Sequence, residues 1–70
     1  MRTWKRTGYK IIETEFDYNL HQYQVIRDNG ELVATITPGS LEDQNEIIKA
    51  LEAGEDVNGW EDGHGNTINI

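Results

Sequence analysis

The chain has 70 residues, no cysteine and a formal net charge of −7, thirteen acidic side chains standing against six basic ones. That length holds one domain with a thin core, burying about 60% of the surface its unfolded chain exposes. The absence of cysteine excludes disulfides and thiolate metal sites, and no stretch approaches the roughly 20 apolar residues of a membrane-spanning helix.

Residues 1–10 hold Arg2, Lys5, Arg6 and Lys10 and no acid, while the remainder sets only Arg27 and Lys49 against all thirteen acids. The spacing predicts a basic N-terminal arm over residues 1–8 and a single domain over 9–70. A segment of opposite sign suggests either an interaction arm or a tail lying across its own acidic body. No apolar run follows the basic start, so it does not read as a secretory signal, and a cytoplasmic setting is expected.

Residues 9–18 alternate with period two and predict a half-buried strand, with Ile12, Thr14, Phe16 and Tyr18 facing the core and Glu13, Glu15 and Asp17 facing solvent. Residues 23–28 and 31–37 predict two further strands about Asn29-Gly30, a strong hairpin signal because both residues tolerate positive φ. A two-residue turn pairs Val25 with Ala34 and Tyr23 with Ile36. A turn carrying a Gly30 bulge pairs Arg27 with Glu31 instead, and both registers stay open.

Pro38-Gly39 ends the third strand and Ser40 is placed to cap a helix. Its apolar stripe is Leu41, Ile47, Ile48 and Leu51, and its C-terminal glycine is Gly54. Residues 55–65 are dense in glycine and acid and read as a shaped loop anchored by Trp60. Residues 66–70 leave room for a short last strand. The expected fold is therefore α+β: a three-stranded antiparallel sheet in the order β-β-β-α, with space for a fourth C-terminal strand and one helix packed on one face.

Chemistry is sparse. Ser40 is the only serine and is needed as a cap, and with no cysteine in the chain neither nucleophilic catalysis nor an enzyme is expected. Asp56, Asn58, Asp62 and His64 offer metal donors among glycines, which suggests an ion-stabilised loop over residues 56–66. A calcium loop of EF-hand type nevertheless fails in both frames, with Trp60 and Thr67 at ligand places from Asp56 and Trp60 and Asn69 from Asn58. No cofactor is implied. The basic segment 1–10, with Trp4 and Tyr9, offers a nucleic-acid reading that the acidic remainder opposes.

The acidic surface suggests the opposite. Glu13, Glu15 and Asp17 on a strand would repeat at about 6.8 Å, and Glu42 and Glu46 on a helix would lie about 6 Å apart. Such spacing approaches that of successive phosphates, so these acids, with Trp60 as an anchor, are the candidate contacts of a nucleic-acid mimic or other protein-binding surface. The favoured reading is a small non-enzymatic binding protein acting on a protein partner, with self-association left open.

The run Leu32–Ile36, Thr37-Pro38-Gly39-Ser40-Leu41-Glu42-Asp43, and above all Gly59-Trp60-Glu61-Asp62-Gly63-His64-Gly65-Asn66-Thr67, resembles small uncharacterised proteins encoded by phages and prophages of Gram-positive bacteria. The resemblance covers the second half of the chain and brings no known active site. It implies an accessory protein that works in a bacterial cytoplasm by engaging a host factor.

Overall fold

A computed structural model describing residues 1–70 shows an antiparallel sheet whose four strands lie in chain order, followed by one helix. The strands are β1 (Thr3–Arg6), β2 (Tyr9–Glu15), β3 (His21–Arg27) and β4 (Leu32–Ile36), and the helix is α1 (Leu41–Glu52). The additional strand comes from the N-terminus. Residues expected as a basic arm turn at Gly8, whose φ of 85° suits glycine, and pair with β2 from Thr3↔Ile12 to Arg6↔Tyr9. The C-terminal segment contributes only an isolated bridge, Glu61↔Thr67.

One face of the sheet carries the core. Trp4, Ile11, Val25 and Ala34 line up across all four strands, and Tyr23 stands between Glu13 and Ile36 in the next row. Leu51 of α1, with Val57 and Ile68 of the C-terminal segment, completes the buried cluster, and Ile47 and Ile48 pack against it. Trp4 and Tyr23 meet with ring centroids 6.0 Å apart and planes tilted by 48°, within the range that favours aromatic pairs.

The inward face of β2 is the reverse of the one expected. Tyr9, Ile11 and Glu13 are buried, while Ile12 and Thr14 lie on the open face. The strand also stops at Glu15, and residues 16–20 form a tight turn closed by Asp17 N–H to Leu20 O at 3.0 Å and Leu20 N–H to Asp17 O at 3.2 Å. Phe16 is therefore half exposed and Tyr18 is 99% exposed. Both faces of this strand alternate equally well. Which one turned inward was decided by the donors that receive Glu13.

The β3–β4 hairpin uses both registers left open. At its tip Arg27 N–H donates to Glu31 O at 2.8 Å and Gly30, at φ 91°, forms the bulge. An irregularity between Val25 and Ile26 then restores Val25↔Ala34 and Tyr23↔Ile36. The tip arrangement puts Arg27 Nε 3.1 Å from a Glu31 carboxylate oxygen, avoiding the Asp28–Glu31 juxtaposition of the simpler turn.

Ser40 Oγ accepts from Asp43 N–H at 3.1 Å, capping α1. The helix ends with Gly54 N–H to Leu51 O and Glu55 N–H to Ala50 O, both 3.1 Å, with Gly54 at φ 87°. The expected apolar stripe needs one correction: Leu41 is half exposed and Gln44 takes the buried place. Leu41 starts the helix, whereas the Gln44 side chain accepts from His21 N–H at 2.7 Å and donates to Asn19 O at 3.3 Å, serving backbone groups of the β2–β3 turn. No helix is long and apolar enough to cross a membrane.

Candidate functional site

Positions 43, 46, 47 and 50 follow the i, i+3, i+4, i+7 spacing and share one face of α1. That face forms one wall of a groove. The end of β4 with Pro38 and Gly39, and the segment Glu55–Gly63, supply the rest. Two adjoining hollows share Ile36, Glu46, Ile47 and Glu61, making a continuous channel. Its apolar surface comes from Ile36, Ile47, Ala50 and Trp60, and its carboxylates are Asp43, Glu46, Glu55 and Glu61. No basic side chain lines it, and none of the four carboxylates belongs to an ion pair.

The second wall is held by the backbone. Val57 and Ile68 are buried in the core, and Trp60 N–H donates to Val57 O at 3.0 Å. Gly59 N–H donates to Ile68 O at 2.8 Å and Ile68 N–H to Trp60 O at 2.7 Å. Beyond Trp60 the chain docks on β4: Thr37 N–H donates to Asp62 O at 3.0 Å, and a Cβ on Gly63 would lie 2.3 Å from Thr37 O. Glycine at φ 86° is required there by contact and conformation together. Trp60 is thereby kept partly buried against the core with its remaining surface in the groove.

The oxygen donors of residues 56–66 serve the loop's own backbone. Asp62 Oδ1 accepts from His64 N–H at 2.7 Å and Asn66 N–H at 3.2 Å, and Asp56 Oδ1 accepts from Asn58 N–H at 2.7 Å. The bond from His64 N–H, supported by those from Asn66 and opposed by partial burial, holds the Asp62 carboxyl below its usual range. Asn58 Oδ1 accepts from Ile70 N–H at 3.1 Å, and His64 Nε2 lies 3.0 Å from Thr37 Oγ1. No three His, Asp or Glu side chains of the chain converge as a metal-ligating group. Each candidate ligand thus has a structural partner that a metal would have to displace.

Glu13, expected on the surface, is 4% exposed. Its carboxylate accepts from Arg2 Nε and Nη2, both at 3.1 Å, from Arg2 N–H at 3.3 Å and from Tyr23 Oη at 3.1 Å, and lies 3.1 Å from His21 Nδ1. Burial alone would raise its pKa. The bonds from Arg2, His21 and Tyr23 outweigh burial and bring it down from 4.5 to about 2. Burial, with the Glu13 charge beside it, pushes the Tyr23 phenol up, and the bond to Glu13 raises Arg2. With every acceptor site occupied, Glu13 ties the N-terminus to the sheet and presents no charge to a partner.

The other acidic candidates separate. Glu46 and Trp60 meet in the groove. Glu42 is exposed but does not line it. Glu15 and Asp17 border a different hollow with Phe16, Tyr18 and His21. Asp43, Glu55 and Glu61 join Glu46 and Trp60 in the groove; the helical spacing of Asp43 and Glu46 is a usable signal for the first. Glu55 and Glu61 have none, because their approach to α1 depends on the loop's docking. Of the four N-terminal bases, Arg2 pairs with Glu13 and lies 3.9 Å from Glu52. Arg6 donates to Leu51 O at 2.7 Å and Glu55 O at 2.8 Å at the negative end of α1. Lys5 and Lys10, directly opposite each other on the open sheet face, are in no ion pair.

No family model matches the chain, and no curated protein or solved structure matches it either.

Proposed function

We propose that this chain is a non-enzymatic binding module that receives a basic segment of a protein partner in the groove between α1 and residues 55–63. The observation that carries the proposal is the joining of an apolar floor, Ile36, Ile47, Ala50 and Trp60, to four carboxylates without a cation. An apolar side chain settling on that floor gains at most about 1.5–3 kcal/mol, the value for complete burial. Each exposed charge contact adds only ~0.2–1 kcal/mol. Allowing for the ordering of a flexible segment, a short peptide should bind weakly, at about 1 mM, and a folded partner that prearranges the segment should bind more tightly. The resemblance to phage and prophage proteins agrees with such a role, in which an accessory protein engages a basic region of a host factor.

A nuclear magnetic resonance titration at low salt with a peptide of alternating lysine and leucine tests the reading. Shifts should concentrate at residues 43–50 and 55–63 and weaken as salt is added. The double variant Glu46→Gln/Glu61→Gln should bind several-fold more weakly. Shifts spread evenly over the surface, or confined to the open sheet face, would sink the proposal.

The unpaired Lys5–Lys10 pair favours one second reading, contact of the N-terminal strand with a nucleic-acid backbone. Lys5→Ala/Lys10→Ala would abolish such binding and leave peptide binding in the groove unchanged.

A further inference from the structure

The two ends of the groove differ in chemistry. Towards the start of α1 the lining is polar: Thr37, Pro38, Gly39, Asp43 and Gly63 beside Glu46 and Glu61. Towards its end, Trp60 and Ala50 join Ile47, and the carboxylates are Glu46, Glu55 and Glu61. Three acids lining one hollow with an indole form a more specific environment than a general acidic rim. An ammonium ion is compact and strongly hydrated, and it gains little by giving up water to lie on an aromatic surface. A guanidinium is planar and weakly hydrated, stacks on indole, and still offers N–H groups along its edge to carboxylates. The walls suit this division of labour, since the Trp60 backbone is held by hydrogen bonds and its side chain packs on the core, while Glu46, Glu55 and Glu61 are exposed.

We infer that the groove is selective for arginine over lysine, with the guanidinium of the bound segment stacked on Trp60 and bonded to carboxylates drawn from Glu46, Glu55 and Glu61. The inference rests on the groove being the binding site. It adds which basic residue occupies which end. A neighbouring apolar side chain of the same segment would lie over Ile36 and Ile47 towards Asp43, so the recognised element is an arginine next to an aliphatic residue in a bent, non-strand conformation that turns both side chains to the groove.

The test compares two acetylated, amidated hexapeptides, Gly-Leu-Arg-Leu-Arg-Gly and Gly-Leu-Lys-Leu-Lys-Gly, by calorimetry and by the indole N–H resonances of the two tryptophans. The arginine peptide should bind about three- to fivefold more tightly and should move the Trp60 indole signal, assigned with Trp60→Phe, while the buried Trp4 signal stays still. Trp60→Leu should weaken the arginine peptide more than the lysine peptide and bring the two to equal affinity. Equal affinity of both peptides for the unaltered protein, which requires no variant to fold, would overturn the arginine assignment and leave the groove standing. If neither peptide binds at low salt, the groove reading fails as well, and the two failures are thereby distinguished. Selectivity that survives in a folded Trp60→Leu protein would also overturn the assignment, because the preference would then come from the carboxylates alone.

Discussion

Replacing Glu13 with glutamine keeps the side chain's shape and removes the charge on which five contacts converge. The amide retains one acceptor oxygen but points a donor at Arg2, Tyr23 and His21, which already offer donors. The folded carboxyl titrates at about 2 against an ordinary 4.5. At 1.36 kcal/mol per pKa unit that difference is worth on the order of 3 kcal/mol. Arg2 is half exposed and recovers water when its partner is lost, so a loss of about 2–3 kcal/mol is expected. A chain of this length has a total stability of roughly 4–10 kcal/mol, and at about 1 kcal/mol per molar urea the unfolding midpoint should fall by about 2–3 M. The pH dependence carries the sign. A depressed carboxyl pKa contributes fully above the unfolded value of 4.5, and that contribution disappears as pH falls towards 2. The unaltered protein should therefore lose stability steeply across that window, while Glu13→Gln should show a flatter profile and converge with it in acid. Parallel profiles, or a change under about 0.5 kcal/mol at neutral pH, would refute the view that Glu13 is a charge held by its neighbours.

Gly63→Ala should destabilise by about 2 kcal/mol or more, because its Cβ meets Thr37 O at 2.3 Å, whereas Gly59→Ala, at φ 90° in open space, should cost about 1 kcal/mol in the same urea titration. Gln44→Ala removes the acceptor of His21 N–H and should cost about 1–2 kcal/mol, with faster amide exchange at His21 as the local readout. Millimolar calcium or magnesium should leave the melting temperature unchanged, since the Asp56 and Asp62 carboxylates are held by backbone N–H groups. An increase would revive the metal reading of residues 56–66. Arg6→Met should weaken the attachment of β1 to the end of α1, seen as increased exchange of the β1 amides.

What the sequence determined by itself was local. The Asn29-Gly30 hairpin, the Ser40 cap, the helix and its Gly54 ending rest on φ preferences and on hydrogen bonds that close within a few residues. Neighbouring side chains are enough to specify those. The α+β class followed because the strands and the helix each had an apolar side to bury. Tertiary structure decided whatever depended on partners distant in the chain. β2 faces inward through Glu13 because Arg2, eleven residues away, and the cross-strand Tyr23 bring donors to it. Gln44 is buried, displacing Leu41 from the expected stripe, because the β2–β3 turn needs its amide. Residues 3–6 became a strand instead of an arm because the inward row on β2 left Ile11 an apolar neighbour to find, and Trp4 supplied it. The groove joins Glu46 to Trp60 only because Gly63 lets the loop close against Thr37. Charge and alternation along a chain rank which residues prefer water. Whether a carboxylate stays there is settled by donors that the fold alone brings within 3 Å or so of it.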